Sequence, residues 1–465
     1  MSYVDKVIKY LPEITPPSEQ KQSFKTKLKW TSIVLALYFI LALIPLYGLE
    51  SNALEQFEFL STILGASFGS LLSLGIGPIV NASIVLQLLN GSGIINFDTT
   101  STEGKKRFQG TQRILAIFLT VVQAIIFVSL GGFTPAPGLS PFWLIAQLTL
   151  GGLFIIYMDD IISKYGFGSG VSLFIAAGVS QEIFVQLFSP LSSEFSGGVA
   201  IGAIPAIFES LSGATPDGAT TAAVQIAKVI ATLVVFFIVV YAQAMKVEIP
   251  LSFGRVKGHG IRWPLNFLYS SVIPIILVAA LLANIQLLAT FLQNQGYPFL
   301  GTFVESPGQG QVPSTGFVSW IAPQDILREI VITGGAIDPF ILFEGFMYVL
   351  VYVVGAVIFS YFWVQTSGLD ARSQAKQMMS SGLQIPGFRK DRRVLERLLS
   401  RYIGPLTFLG GLAIGLLASV ADLVGAIGSG TGLLLTVMII YKLYEEIAKQ
   451  HMYDMNPMMR KFMKG

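Results

Sequence analysis

The chain has 465 residues, is 53% hydrophobic with a mean hydropathy of +0.67, and carries charge on only 12% of its residues, about half the share of a soluble domain. It has no cysteine, which excludes disulfides and cysteine-based metal or nucleophile chemistry, and its net charge of +3 says less than where the charges lie. Apolar runs of about 20 residues, enough to cross ~30 Å of hydrocarbon, recur along it and make it a polytopic membrane protein.

The first 29 residues hold six lysines and lack the short apolar core and small-residue cleavage site of a signal peptide, so the first span serves as the insertion signal. Within them, "VDKVIKYL" places Val4, Ile8 and Leu11 at helical spacing, which suits an interfacial helix or a frayed tail equally well. Ten spans are expected, at about 30–49, 73–92, 110–131, 141–162, 169–188, 222–246, 266–291, 339–365, 402–421 and 431–448. A broken piece, about 55–72, precedes the second. "LGASFGSLLSLGIGPIVNASIVLQLL" (64–89) is too apolar for a surface loop, yet Gly65, Gly69, Gly75, Gly77 and Pro78 keep it from being one straight helix.

An even count of spans puts both termini on one side. On that side fall 28 of the 30 Lys and Arg residues, with only Lys228 and Arg328 opposite, so the positive-inside rule makes both termini cytosolic. The outer loops at 189–221 and 292–338 look like irregular caps rich in Gly, Pro, Ser and Gln. Two cytosolic segments are basic: "KVEIPLSFGRVKGHGIRW", a loop, and "GFRKDRRVLERLLSR", where Val394, Leu398 and Leu399 mark an amphipathic helix.

Five spans precede the 189–221 loop and five follow it. Span 2 begins near "GPIV" and span 7 contains "IPII", so Pro78 stands two residues before Val80 and Pro274 two before Ile276. Span 5 begins near "GSGVSLFI" and span 10 near "GSGTGLLL". Both pairs correspond under a five-span repeat, and an odd-numbered repeat must be inverted in the membrane. The halves would then face one another with a path between them.

Catalytic machinery is scarce. His259 and His451 are far apart and make no metal-ligand spacing. "GFGSG" and "GSGTG" lack the preceding strand and following lysine of a phosphate loop and fit closely packed helix starts. Asp159 and Asp160 lie at the cytosolic end of span 4, and Glu182 and Glu344 in outer halves, so no proton relay is evident. What remains near the midplane is aliphatic: Ile76, Val80, Val171, Ile175, Ile276 and Leu435, from four spans. A ring of such side chains would gate by dewetting. Gln87, Gln123 and Asn284 interrupt the apolar spans, and interhelical hydrogen bonds worth ~1 kcal/mol are their default role.

"LGIGPIVNASIVLQLLNGSGII", "KYGFGSGVSLFIAAGVSQ", "VEIPL", "IPGFR" and "GSGTGLLL", in this order and spacing, resemble the SecY family, the channel-forming alpha subunit of the Sec protein translocon, in its archaeal form. The resemblance covers essentially the whole chain. It implies an all-α membrane protein of ten transmembrane helices in two pseudo-symmetric inverted halves, a 5+5 clamshell with a plug helix. The expected boundaries are a cytosolic segment 1–29, an N-terminal half 30–190, an external hinge loop 191–221, a C-terminal half 222–448 and a cytosolic tail 449–465.

The resemblance also implies roles. The plug falls at about 55–72, with Phe57, Phe59, Leu60, Ile63 and Leu64; the pore ring on the six aliphatic residues above; the lateral gate on Gln87, Gln123 and Asn284, between spans 2 and 3 and spans 7 and 8. Arg255, Lys257 and Arg389 fall where the family docks a ribosome or a motor protein. Basic loops of this kind suit ribosomal RNA or anionic lipid headgroups alike. The implied function is passage of secretory polypeptides across the cell membrane and lateral release of transmembrane segments into the lipid bilayer, with no enzyme activity and no cofactor. The implied partners are a SecE-type gamma subunit, a small beta subunit, a ribosome or motor protein, signal peptides and nascent chains, and the signal recognition particle pathway. The rival reading is a secondary transporter of a small solute, against which the aliphatic midplane speaks; an intramembrane enzyme would need a nucleophile–base pair or metal triad that the spans lack.

Overall fold

The structure, a computed structural model, describes residues 14–15, 17, 22–52, 67–91, 93–95, 97, 101–191, 200–212, 218–253, 260–270, 272–306, 310–380, 383–384 and 392–455. The expected plug residues Phe57, Phe59, Leu60, Ile63 and Leu64 lie outside them, as do Arg255, Lys257, His259 and Arg389.

The first half holds five long helices: α1 (Phe24–Ala42), α2 (Gly77–Gly91), α3 (Thr102–Ser129), α4 (Pro141–Tyr165) and α5 (Gly170–Phe188). Their starts are written in the sequence. Ser23, Ser101 and Ser140 each stand one residue before a helix and accept a backbone N–H through the side-chain oxygen. Ser140 is followed by proline, whose missing N–H costs nothing in a first turn. Between the helices, β1 (Leu49–Asn52) pairs antiparallel with β2 (Phe133–Pro135).

After α6 (Ala203–Leu211), which falls in the expected hinge segment, the chain runs from α7 (Gly218–Ala244) through the hairpin β3 (Lys246–Phe253) and β4 (Gly260–Asn266) to α8 (Ile273–Asn294). A second hairpin, β5 (Gly301–Ser306) and β6 (Gly310–Gly316), leads into the one-turn α9 (Phe317–Trp320) and α10 (Ile326–Thr333). Then come α11 (Pro339–Thr366), α12 (Ala371–Ser380), β7 (Leu383–Gln384), α13 (Arg392–Leu423) and α14 (Gly430–Met455). Asp338 caps α11 by accepting the Phe340 N–H at 2.9 Å.

Among the described residues seven helices are long and apolar enough to cross a membrane. Of the remaining expected spans, α2 has only 15 residues, α1 starts among lysines 25, 27 and 29, and α14 ends in charged turns.

Three expectations are refined. The basic loop after span 6 is an antiparallel hairpin, because "VEIPLSF" is a strand-forming run; β7 adds a third strand. The amphipathic helix of the second basic segment and span 9 are one helix, α13, which passes Pro405 without ending. Its first turns bury Leu395 and Leu399, with Leu398 half-buried, against Ile249 and Leu265 of the hairpin; Val394 is half-buried. The outer loop at 292–338 is an ordered hairpin and two short helices rather than an irregular cap.

A single large cluster of buried apolar side chains joins α1, α2, α4, α5, α7, α8, α11, α13 and α14. A smaller one joins α3, α4 and α8 at one end, with the Phe127 and Phe291 rings 6.1 Å apart.

Candidate conduction path and gate

The broken stretch becomes a run of tight turns at 71–76 that hands over to α2 at Gly77. Its backbone closes on itself through Ser73 N–H to Ser70 C=O at 3.1 Å, Gly75 N–H to Leu72 C=O at 2.8 Å and Gly77 N–H to Leu74 C=O at 3.2 Å. Ser70 and Ser73 hydroxyls donate to the Ser67 carbonyl at 2.6 and 3.2 Å. Gly75, at φ +53°, supplies the left-handed residue the chain needs there. Residues 72–80 are buried throughout. Irregular backbone at membrane depth is tolerated where protein surrounds it, and here α4 does. A Cβ at Gly151 would stand 1.7 Å from the Leu71 carbonyl oxygen, so only glycine admits the turns against α4.

Five of the six aliphatic residues of the expected ring are buried in one apolar cluster, and the sixth packs on it. Ile76, Val80, Ile175, Ile276 and Leu435 are at most 4% exposed and belong to one contiguous cluster; Val171 is half-buried and packs on it. The two sequence echoes have matching geometry. Pro78 is the second residue of α2 and Pro274 the second of α8, so each helix starts three residues before the ring side chains Val80 and Ile276. In the other pair, Gly168 and Gly428 have φ of +68° and +73°. A carboxylate then receives the first amides of the following helix: Val171 N–H donates to Asp159 Oδ1 at 3.0 Å, and Thr431 N–H to Asp422 Oδ1 at 2.8 Å.

One side of the cluster is a thin seam. Asn284 Nδ2 on α8 donates to Asn81 Oδ1 on α2 at 2.9 Å, and Asn81 Nδ2 returns to Asn284 Oδ1 at 3.4 Å. Asn284 Nδ2 also donates to its own helix at Ala280 C=O, 2.6 Å. Gln87 is buried, and its carbonyl oxygen meets no donor among the described residues. Gln123 is half-buried on α3, one turn before Phe127, the ring that touches Phe291 of α8. Of the expected gate residues, Asn284 makes the polar contact between α2 and α8, and its partner there is Asn81.

α5, α7 and the start of α14 are tied tightly. Gln186 Oε1 of α5 accepts the Gly428 N–H at 2.9 Å, and Thr232 Oγ1 of α7 accepts the Ile427 N–H at 2.9 Å. A Cβ at Gly428 would meet the Ile183 side chain at 2.4 Å, so Ile183 of α5 packs directly on the backbone just before α14. Lys246 and Glu445 pair at 3.3 Å between the ends of α7 and α14. Lys228, one of the two cations out of place under the positive-inside rule, pairs with Asp325 at 3.0 Å and holds α10 to α7.

Two polar residues in this arrangement had no signal in the sequence. Asn81 sits 203 positions from its partner. Asp422 lies at the end of an apolar run and is buried, accepting also from Tyr348 Oη at 2.7 Å and from the Thr431 hydroxyl. Among the described residues no group of three His, Cys, Asp or Glu is placed to hold a metal ion.

Comparison with known proteins agrees with this architecture. The SecY family model matches residues 70–444, and the plug domain of Sec61p matches 37–69. The protein translocase subunit SecY of Methanothermobacter thermautotrophicus is 46% identical, over 97% of this chain and 96% of its own. That of Pyrococcus furiosus is 42% identical, over 97% of each. Among solved structures, a protein-conducting channel superposes with a TM-score of 0.81 at 40% identity, covering 98% of this chain and 99% of that one. Sec61 in a canine ribosome–channel complex gives 0.78 at 39% identity, with the same coverage. With a family model over most of its length and relatives this similar end to end, the chain belongs to the SecY family, a multi-pass membrane protein with the ten-helix clamshell fold and plug of the Sec channels.

Proposed function

We propose that this chain is the protein-conducting subunit of a translocon and that its constriction is the ring Ile76, Val80, Val171, Ile175, Ile276 and Leu435. The observation that carries it is the burial of residues from four separate helices in one aliphatic cluster, in pairs related by the internal repeat. An extended chain in hydrocarbon loses several kcal/mol for each bare peptide group, and a wet path on either side of a short apolar constriction removes that cost. Aliphatic side chains seal around a passing chain without selecting its sequence. Hydrophobic segments leave sideways between α2/α3 and α8/α11, since Leu or Ile favours lipid by ~0.3–0.6 kcal/mol per residue at the centre. No catalytic step belongs to this role. Photocrosslinkers at positions 76 and 276 should capture a stalled nascent chain, while one at the lipid-facing Phe237 should not; capture equal at all three would overturn the path.

In this proposal the termini are cytosolic, the membrane is the cell membrane, the hinge lies at 191–221, and the plug carries Phe57, Phe59, Leu60, Ile63 and Leu64. The ribosome present in the canine relative's complex supports docking of a ribosome on Arg255, Lys257 and Arg389, because phosphates attract clustered cations. A gamma subunit's span would seat in the apolar cavity of about 600 Å³ between α5, α7 and α14, lined by Phe184, Phe236 and Tyr444 among others. Affinity purification checks both contacts. Arg255→Glu with Arg389→Glu should lose the ribosome at physiological salt, and Phe184→Arg the gamma subunit. Retention of both partners by every variant would sink these assignments.

A further inference from the structure

Asp159 and Asp422 have no part in the ring or the gate, yet Asp422 is buried and Asp159 half-buried where two spans meet. Their surroundings match in four respects. Each lies on the fourth span of its half, Asp159 six residues before the end of α4 and Asp422 one before the end of α13. Each faces a Gly-Ser-Gly turn whose first glycine is left-handed. Each takes the amide of the residue after the second glycine on Oδ1, at 3.0 and 2.8 Å. Finally, a Cβ at Gly170 would stand 2.6 Å from the Asp159 Cα, and one at Gly430 would stand 2.2 Å from the Asp422 amide nitrogen. Both glycines therefore exist to let the helix start sit directly on the carboxylate-bearing turn.

We propose that Asp159 and Asp422 are a symmetry-related pair of positioning residues that set the depth of the pore ring. Each carboxylate fixes the first turn of the last span of its half. The first amide held belongs to residue 171 or 431, and the ring side chains Ile175 and Leu435 stand four residues further on, one helical turn or ~6 Å along the axis. A negative group at a helix start is favoured by the unpaired N–H groups there and by the helix dipole. Because the repeat is inverted, the two caps hold the ring from opposite faces of the membrane. Donor and acceptor of each cap lie in the same half, so the halves can part while the ring residues keep their depth.

This inference rests on the ring reading, and the experiment separates the two. Asp159→Ala and Asp422→Ala are measured in the assembled channel by planar-bilayer conductance, with Asp159→Asn and Asp422→Asn, which keep an acceptor, beside them. The Ala variants should raise resting current several-fold and the Asn variants should restore the seal. Tyr348→Phe removes a hydrogen bond from Asp422 but leaves its cap, so it should lower thermal stability without leak. Ala variants as tight as the parent, or Tyr348→Phe as leaky as Asp422→Ala, would overturn the positioning role. Should an Ala variant fail to accumulate, Asp159→Glu and Asp422→Glu push the acceptor out of register by one methylene; leak supports the proposal and a tight seal overturns it. A silent channel after substitution of the ring itself would instead overturn the ring reading.

Discussion

Changing Ile76, Val80, Ile175 and Ile276 together to Ser or Gly should open the resting channel to ions. These side chains are buried in one cluster without a charged or hydrogen-bonding group among them, so water is excluded by their surface alone. Every ~1.4 kcal/mol taken off the wetting barrier multiplies current about tenfold. Four truncated side chains, each worth ~1.5–3 kcal/mol of apolar burial, should lift conductance well above baseline. The control is a second quadruple, Val34, Leu173, Val179 and Ile414, buried in the same cluster but outside the expected ring. It should lower the melting temperature and leave the current at baseline. If both sets leak alike, the constriction is not where the six residues stand.

The second large effect is expected at the seam. Asn81 and Asn284 are joined by reciprocal amide hydrogen bonds at 2.9 and 3.4 Å between α2 and α8. Asn284→Ala leaves the half-buried Asn81 amide without its partner, at a cost of ~1–2 kcal/mol to the closed seam. That shift enriches the open state by a factor of about 5–30. Asn81→Ala should do the same. Export of a substrate with a crippled signal peptide should then rise in either single variant. The double change to Leu replaces a polar pair by packed hydrocarbon and should close the seam again, so the two changes will not add. Export as strict in both singles as in the parent, or additive leakiness in the double, would show that this pair does not latch the halves.

Much of this was legible in the sequence. The Gly and Pro run before residue 78 located a broken second span, and α2 starts at Gly77. The two short echoes located the repeat, and they proved to share backbone conformation at Gly168 and Gly428. Local chemistry explains that success: a proline or a left-handed glycine leaves its mark at the position where it acts. The seam and the caps act across distance. Asn81 is one polar residue in an apolar helix until Asn284 is brought beside it. Asp422 resembles a solvent-edge carboxylate until Tyr348, 74 positions earlier, is folded against it. The β3–β4 hairpin was missed for another reason. Its basic and glycine-rich tip, "GRVKGHG", outweighs the short strand pattern on either side.

The run of turns ahead of α2 has one further consequence. A polypeptide threading the channel is itself a row of unpaired amides, ready to zip onto any exposed edge that offers donors and acceptors. The run at 71–76 offers few: the Ser73 and Gly75 N–H groups close on carbonyls three residues back, Leu71 N–H is taken by the Ile44 carbonyl and Leu72 N–H by the Ser70 hydroxyl, and two serine hydroxyls converge on the Ser67 oxygen. If this run lines the proposed path, amides that are already paired would keep friction low, so that a moving chain would meet a surface it can slide past rather than a strand it must peel away from.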